Sequence, residues 1–287
     1  MNSTSISPLR WHLKKLARRL MILSSLVLRG FQFGHDRRSQ IRVLTYHRFG
    51  YQPRDPFCVT PKDFETQMAW LARHKRAVSL EQIERFLRGE IDLPNGSVLV
   101  TIDDGYQSVY DFALPILKKY NIPAVVFVTV SAIDHHEDAE PHLTWNQVRE
   151  LASHITVASH GWTHRSLGKI SFEEMQVEVL RSRKMLEQKL GNPVTAFAYP
   201  FGTLADFNAT TATVLQNSHY QYAFTSQHGS ISERESPLNR FYLPRIKVEG
   251  GEGLWMFRLL VGGGLDHWRL IDQTLWKFQQ SPDRPAV

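Results

Sequence analysis

The stretch Val98-Leu-Val-Thr-Ile-Asp-Asp-Gly105 (VLVTIDDG) joins an apolar run of strand length to two adjacent carboxylates and a glycine. Val98 to Ile102 has the β-branched richness of a buried strand, and the charges fall where that strand ends. The same grammar recurs along the chain. Ile41 to Tyr46 precedes His47, Ala124 to Val130 is another β-rich run, and Ile155 to Ser159 precedes His160. Val194 to Tyr199 precedes Pro200-Phe201-Gly202, and Tyr220 to Thr225 and Tyr242 to Val248 complete the series.

Helical stretches alternate with these runs. Thr60 caps Pro61 to His74, a short helix follows Ser79, and Tyr110 to Tyr120 closes at Asn121 and Pro123. Thr144 caps a helix through Ala152, and Ser171-Phe-Glu-Glu174 is a capping box for a helix that Gly191 and Pro193 stop near Leu190. Alternation of this kind predicts parallel strands with right-handed crossovers, here a distorted α/β barrel of about seven strands. The organisation expected is a basic N-terminal segment (1–38), the barrel (39–249) and a short C-terminal tail (250–287) after the Gly250-Gly251 pair.

With 287 residues, 42% hydrophobic and 22% charged, the chain has the composition of a globular protein large enough to bury a core. The lone cysteine, Cys58, excludes an internal disulfide framework. The net charge of +6 resides in the first 35 residues, which hold Arg10, Lys14, Lys15, Arg18, Arg19 and Arg29 and no acid. Taking these six from 34 basic residues leaves 28 against 28 acids, so the body carries no net basic charge to grip nucleic acid.

In that segment Leu9, Leu13, Leu16, Leu20, Leu23, Val27 and Phe31 fall on one helical stripe, with Lys14, Lys15, Arg18 and Arg19 off it. Such a helix can lie on an anionic membrane surface with its apolar face down, or pack on the body or a partner. Ser24 and Ser25 interrupt the apolar run and Arg29 follows it, which disfavours an export signal. The expected location is cytoplasmic or peripheral at the inner membrane, with the membrane contact made by residues 9–31.

The polar residues at strand ends carry the chemistry. In a parallel barrel these ends meet at one rim, where active sites form. Two histidines four apart, His160 and His164, with one carboxylate make a ligand set for a divalent metal with an open position. The second aspartate of the pair is then free to act as a base. Each piece has a plainer reading: Asp-Asp-Gly as a turn, His-x-x-x-His as chance among 13 histidines, Tyr-Pro-Phe-Gly as a turn, and the polar loop from Asp134 to His142 as solvated surface. Their co-occurrence at successive strand ends favours function.

Over residues 41 to 248 the sequence resembles the polysaccharide deacetylase family, carbohydrate esterase family 4. Thr101-Ile-Asp-Asp-Gly105 is similar to the family's T-F-D-D-G, and Ser159-His-Gly-Trp-Thr-His164 to its S-H-x-x-x-H. The resemblance implies a distorted (β/α) barrel that removes acetyl groups from sugars. It implies a metal held by Asp104, His160 and His164, most often zinc, with Asp103 as the base.

Two departures stand out. The family's R-x-P-Y reads Ala198-Tyr-Pro-Phe201 here, and Arg245 of Leu-Pro-Arg-Ile-Lys-Val is the expected replacement for the missing arginine. The C-terminal leucine-x-histidine motif is not evident, and His47 in Leu-Thr-Tyr-His-Arg stands before the aspartates instead. That arrangement resembles the poly-N-acetylglucosamine deacetylases, whose first strand supplies the histidine.

The resemblance implies hydrolysis of an N-acetyl group on a glycan or lipid-linked sugar. Asp103 takes the water's proton, the Phe201 N–H stabilises the oxyanion, and His47 protonates the departing amine. Tyr106, Trp162 and Tyr199 are the aromatic candidates to stack on sugar rings, with Trp145 nearby. An O-acetyl esterase using the same site, and a degenerate barrel that only binds glycans, are the competing expectations.

Overall fold

The computed structural model describes residues 7–31, 40–134, 140–232, 239–266 and 268–279. Seven strands form one sheet: β1 (Arg42–Tyr46), β2 (Val98–Ile102), β3 (Ala124–Val128), β4 (Thr156–Ser159), β5 (Ala196–Ala198), β6 (Tyr222–Phe224) and β7 (Ile246–Lys247). Their spatial order is β6-β5-β4-β3-β2-β1-β7, and every pairing is parallel. All seven therefore end on one rim.

The extended segment carrying β7 closes the ring. Leu243 bridges Phe224 of β6, and three residues on Ile246 enters the ladder with Leu44 of β1. The sequence predicts one strand from Tyr242 to Val248. Pro244 has no N–H to donate, so pairing passes from one neighbour to the other around it. This gives the distorted (β/α) barrel anticipated from the alternation, with β-branched and aromatic side chains filling both faces of its wall.

The surrounding helices are α1 (Pro8–Phe31), α2 (Pro61–Arg73), α3 (Leu80–Leu87), α4 (Leu114–Tyr120), α5 (Trp145–Ala152), α6 (Phe172–Leu190), α7 (Ala209–Asn217), α8 (Gly253–Val261) and α9 (Trp268–Gln279). The capping residues Thr60, Ser79, Thr144 and Ser171 each accept the backbone N–H three positions on. Asn121 ends α4 in the left-handed conformation, and Gly191 does the same for α6.

Three elements differ from their sequence reading. The helix expected over Tyr110 to Tyr120 begins instead as a π-helical turn, Val109–Ala113, leading into α4. α7 was not anticipated: its Ala-Thr-Thr-Ala-Thr-Val run is poor in strong helix formers, and the Asn208 capping box supplies the nucleus. The short tail expected after Gly250 carries two helices docked on the body. α8 buries Met256, Phe257, Leu260 and Val261 in the core, and Asp272 of α9 accepts from the backbone N–H of His228 at 2.8 Å.

Candidate active site

Strand register brings the sequence-distant residues together. Tyr46 pairs with Ile102, so His47 and Asp103 leave neighbouring strands side by side, with the Asp103 N–H on the Tyr46 carbonyl at 2.9 Å. His160 continues β4, its N–H on the Val128 carbonyl at 2.9 Å. Arg245 enters just before β7.

Asp103 is buried, and Arg245 grips it as a fork: Nη1 to Oδ1 at 2.7 Å and Nη2 to Oδ2 at 2.8 Å. Arg245 also donates to the Thr225 carbonyl at 2.9 Å, which fixes the fork's angle. Burial pushes the Asp103 carboxyl up, but the guanidinium outweighs it and holds the group below the usual carboxylate range. Arg245, the residue expected to replace an arginine at Ala198, is thus the one that meets Asp103.

Asp104, His160 and His164 present ligand atoms that all lie within 4.8 Å of one another. Asp104 Oδ1 is 3.3 Å from Nε2 of both histidines. The Nδ1 of His160 contacts the Ala198 carbonyl at 2.8 Å, which makes Nδ1 the protonated nitrogen and leaves Nε2 as a lone pair facing the carboxylate. An unprotonated Nε2 is the ligand form of histidine, so with Asp104 and His164 it makes a donor set that fits a divalent metal.

The site is built on left-handed backbone. Asp104 has φ of 72°, His164 60° and Phe201 61°, conformations that cost a non-glycine residue of order 1–3 kcal/mol each. What holds the histidine loop is Glu178, a buried acid on α6. Its Oε2 accepts the N–H groups of Trp162 at 2.9 Å and Thr163 at 2.8 Å, and its Oε1 takes the Thr163 hydroxyl. Sequence reasoning passed over Glu178, although it sits on the buried stripe Met175, Val179, Ser182, Leu186, where an unpaired acid would not be tolerated.

His47 is half-buried, its ring edge-on to Phe57 at 4.9 Å, and its Nδ1 has no partner among the described residues. Burial lowers its pKa to about 4, against the pull of Asp104 and Asp103 and with help from Lys247 and Arg245. Lys247 is a second residue that the sequence did not flag. Its ammonium lies over the Phe57 ring at 3.2 Å, and burial pushes it down to about 7.

Phe201 projects its ring against His164 at 4.8 Å, while its carbonyl accepts from Ser226 Oγ. Its own N–H makes no hydrogen bond among the described residues. Of the stacking candidates, Tyr106 is placed near the site, half-buried and stacked on His142 at 4.8 Å with Arg48 over its ring. Trp162 has one face covered by the Arg181 guanidinium at 3.9 Å, and Trp145 has Lys189 over its ring at 5.4 Å. Tyr199 corrects an expectation: it has no exposed surface, packs on Phe207 at 5.1 Å, and belongs to the core. Of the polar Asp134–His142 loop, residues 135–139 lie outside the described residues.

Residues 90–223 match the family model described as polysaccharide deacetylase. The chain carries a polysaccharide deacetylase domain. YxkH of Bacillus subtilis is 28% identical over 218 residues, which cover 75% of this chain and 74% of that one. The poly-beta-1,6-N-acetyl-D-glucosamine N-deacetylase of Staphylococcus aureus is 24% identical over 203 residues, 67% of this chain and 68% of that one. Among solved structures, IcaB from Ammonifex degensii superposes with a TM-score of 0.67 at 26% identity, covering 79% of this chain and 97% of that one. These relatives and the family model are named for polysaccharide deacetylation, the hydrolysis of acetyl groups from glycans.

Proposed function

We propose that the protein is a metal-dependent N-deacetylase of a poly-N-acetylglucosamine-type polymer or its lipid-linked form. It would act in the cytoplasm or at the surface of the inner membrane. The observation that carries the reading is the side-by-side placement of an arginine-locked carboxylate, Asp103, and the Asp104, His160, His164 donor set. The activity named for the Staphylococcus aureus relative supports the substrate class.

Asp104, His160 and His164 would hold the cation. A divalent ion there, zinc first among the candidates, supplies polarisation of the acetyl carbonyl and a more acidic water when bound. Asp103, kept ionised by Arg245, takes the water's proton. The unengaged N–H of Phe201 is the donor for the developing oxyanion. His47, neutral at pH 7 with a pKa of about 4, must gain during the cycle the proton it gives to the departing amine. The charges of Asp103 and Asp104 favour that gain.

The test is acetate release from a β-1,6-N-acetylglucosamine oligomer by metal-loaded protein, set against a matched O-acetyl sugar. Release from the amide with stoichiometric metal is the expected result. Faster release from the ester would make the protein an O-acetyl esterase, and binding without release a degenerate barrel.

A further inference from the structure

α1 is held to the body by its basic face. Trp11, Lys15, Arg18 and Ile22, spaced four, three and four apart, turn inward. Lys15 Nζ meets Glu249 at 2.9 Å and Glu252 at 3.5 Å, and Arg18 Nε lies 2.6 Å from Glu252. Ile22 is fully buried and packs against Gly264, where an added Cβ would come within 2.7 Å of it. Burial raises the Glu249 carboxyl, but Arg18, Lys15, Lys247 and Lys14 outweigh it and hold it well below its ordinary range.

The opposite face of the same helix is the leucine row, and it faces outward. Leu9 is 72% exposed, Leu13 57%, Leu16 53%, Leu20 57% and Leu23 45%. These five are among only twelve exposed large apolar side chains in the described residues, so the exposure is concentrated on one line. At 1.5 Å per residue the row runs about 21 Å. Exposed Arg10 flanks it on one side and exposed Arg19 on the other, and no residue of α1 is acidic.

We propose that the α1 leucine row seats the enzyme on an anionic lipid surface, lying in the headgroup layer while the basic inner face stays clamped to Glu249 and Glu252. The charge pattern selects this occupant. The four-three spacing also suits pairing with a second copy, but such a pair would bring together two helices with no acid to match Arg10 and Arg19. Anionic headgroups match both flanks. Among the described residues no helix is long and apolar enough to cross a membrane, so the contact lies on the surface rather than through it. The seat does not depend on the deacetylase reading.

The experiment is co-sedimentation of the full chain with phosphatidylcholine vesicles, with and without phosphatidylglycerol. The variants are Leu13→Ser/Leu16→Ser/Leu20→Ser and Arg10→Gln/Arg19→Gln. Their side chains are exposed, so circular dichroism and acetate release from a soluble oligomer should match the parent. Binding to phosphatidylglycerol vesicles should fall at least tenfold in the triple leucine variant. In the arginine variant it should fall several-fold, with a weaker dependence on salt. Equal vesicle binding by the parent and the leucine variant overturns the proposal. So does a parent that ignores both vesicles yet forms a dimer that the leucine variant abolishes.

Discussion

Arg245→Met isolates what the Asp103 fork contributes. Both partners are 2% exposed, and the two bonds of 2.7 and 2.8 Å satisfy both carboxylate oxygens. Removing the guanidinium takes away both of these bonds, and the Nε2 of His160, 4.0 Å from the carboxylate, lies beyond hydrogen-bond distance. Breaking a buried pair by deleting one member costs about 3–5 kcal/mol, because a charge is left without compensation. That is a large share of a domain stability of roughly 5–15 kcal/mol.

The pH dependence follows from the direction of the Asp103 shift. Its folded pKa is depressed, so the pair stabilises the fold above the unfolded value of about 3.9 and loses that contribution as pH falls through the folded value. The difference between parent and variant in urea denaturation should therefore be full at pH 7 and close below about pH 4. In the variant, burial acts on Asp103 unopposed by the guanidinium and raises its pKa, so the acid limb of kcat/KM should move to higher pH. Asp103→Asn/Arg245→Met should regain most of the lost stability with no turnover. An Arg245→Met protein with the parent's stability and an unmoved acid limb would refute the argument.

His160→Ala, His164→Ala and Asp104→Asn should each lose most bound metal and activity together, whereas Asp103→Asn should keep the metal and lose turnover; elemental analysis beside acetate release decides. His47→Ala should retain metal but lose ~10²–10⁴-fold in turnover on an N-acetyl sugar, and less on an acetyl ester with a good leaving group. The fold keeps His47 neutral down to about 4 while an unfolded histidine takes a proton near 6.5, so parent stability should fall between those pH values and fall less in His47→Ala. Glu178→Gln replaces an acceptor of three bonds by one with a single carbonyl, and should weaken metal affinity by roughly 10–100-fold while circular dichroism stays unchanged.

What the sequence shows of this molecule depends on whether a residue's partner is local. Val98 to Ile102 ends where its charges begin, and parallel register then forces Asp103, His47 and His160 onto one rim. Arg245 could be named from sequence because it lies within a strand run that ends at that rim, whereas Arg42, the other arginine in such a run, stands at the far end of its strand. Its fork on Asp103 crosses 142 residues, a geometry that no spacing encodes. Glu178 left a readable trace, an acid on a buried helical stripe, but its three acceptor bonds are visible only once α6 is docked.

α1 shows the limit most directly. Its sequence contains two stripes, and hydrophobicity alone turns the leucines toward whatever the helix packs on. The deciding partners are Glu249 and Glu252, more than two hundred residues away, whose carboxylates need cations. Lys15 and Arg18 meet that need and turn the leucines outward. The same clamp makes deletion of α1 a poor test of membrane contact, since it would expose Ile22's cavity and leave two buried carboxylates unpaired. Loss of activity in such a truncation would report on the body's stability, and only substitutions confined to the outward row separate the seat from the scaffold.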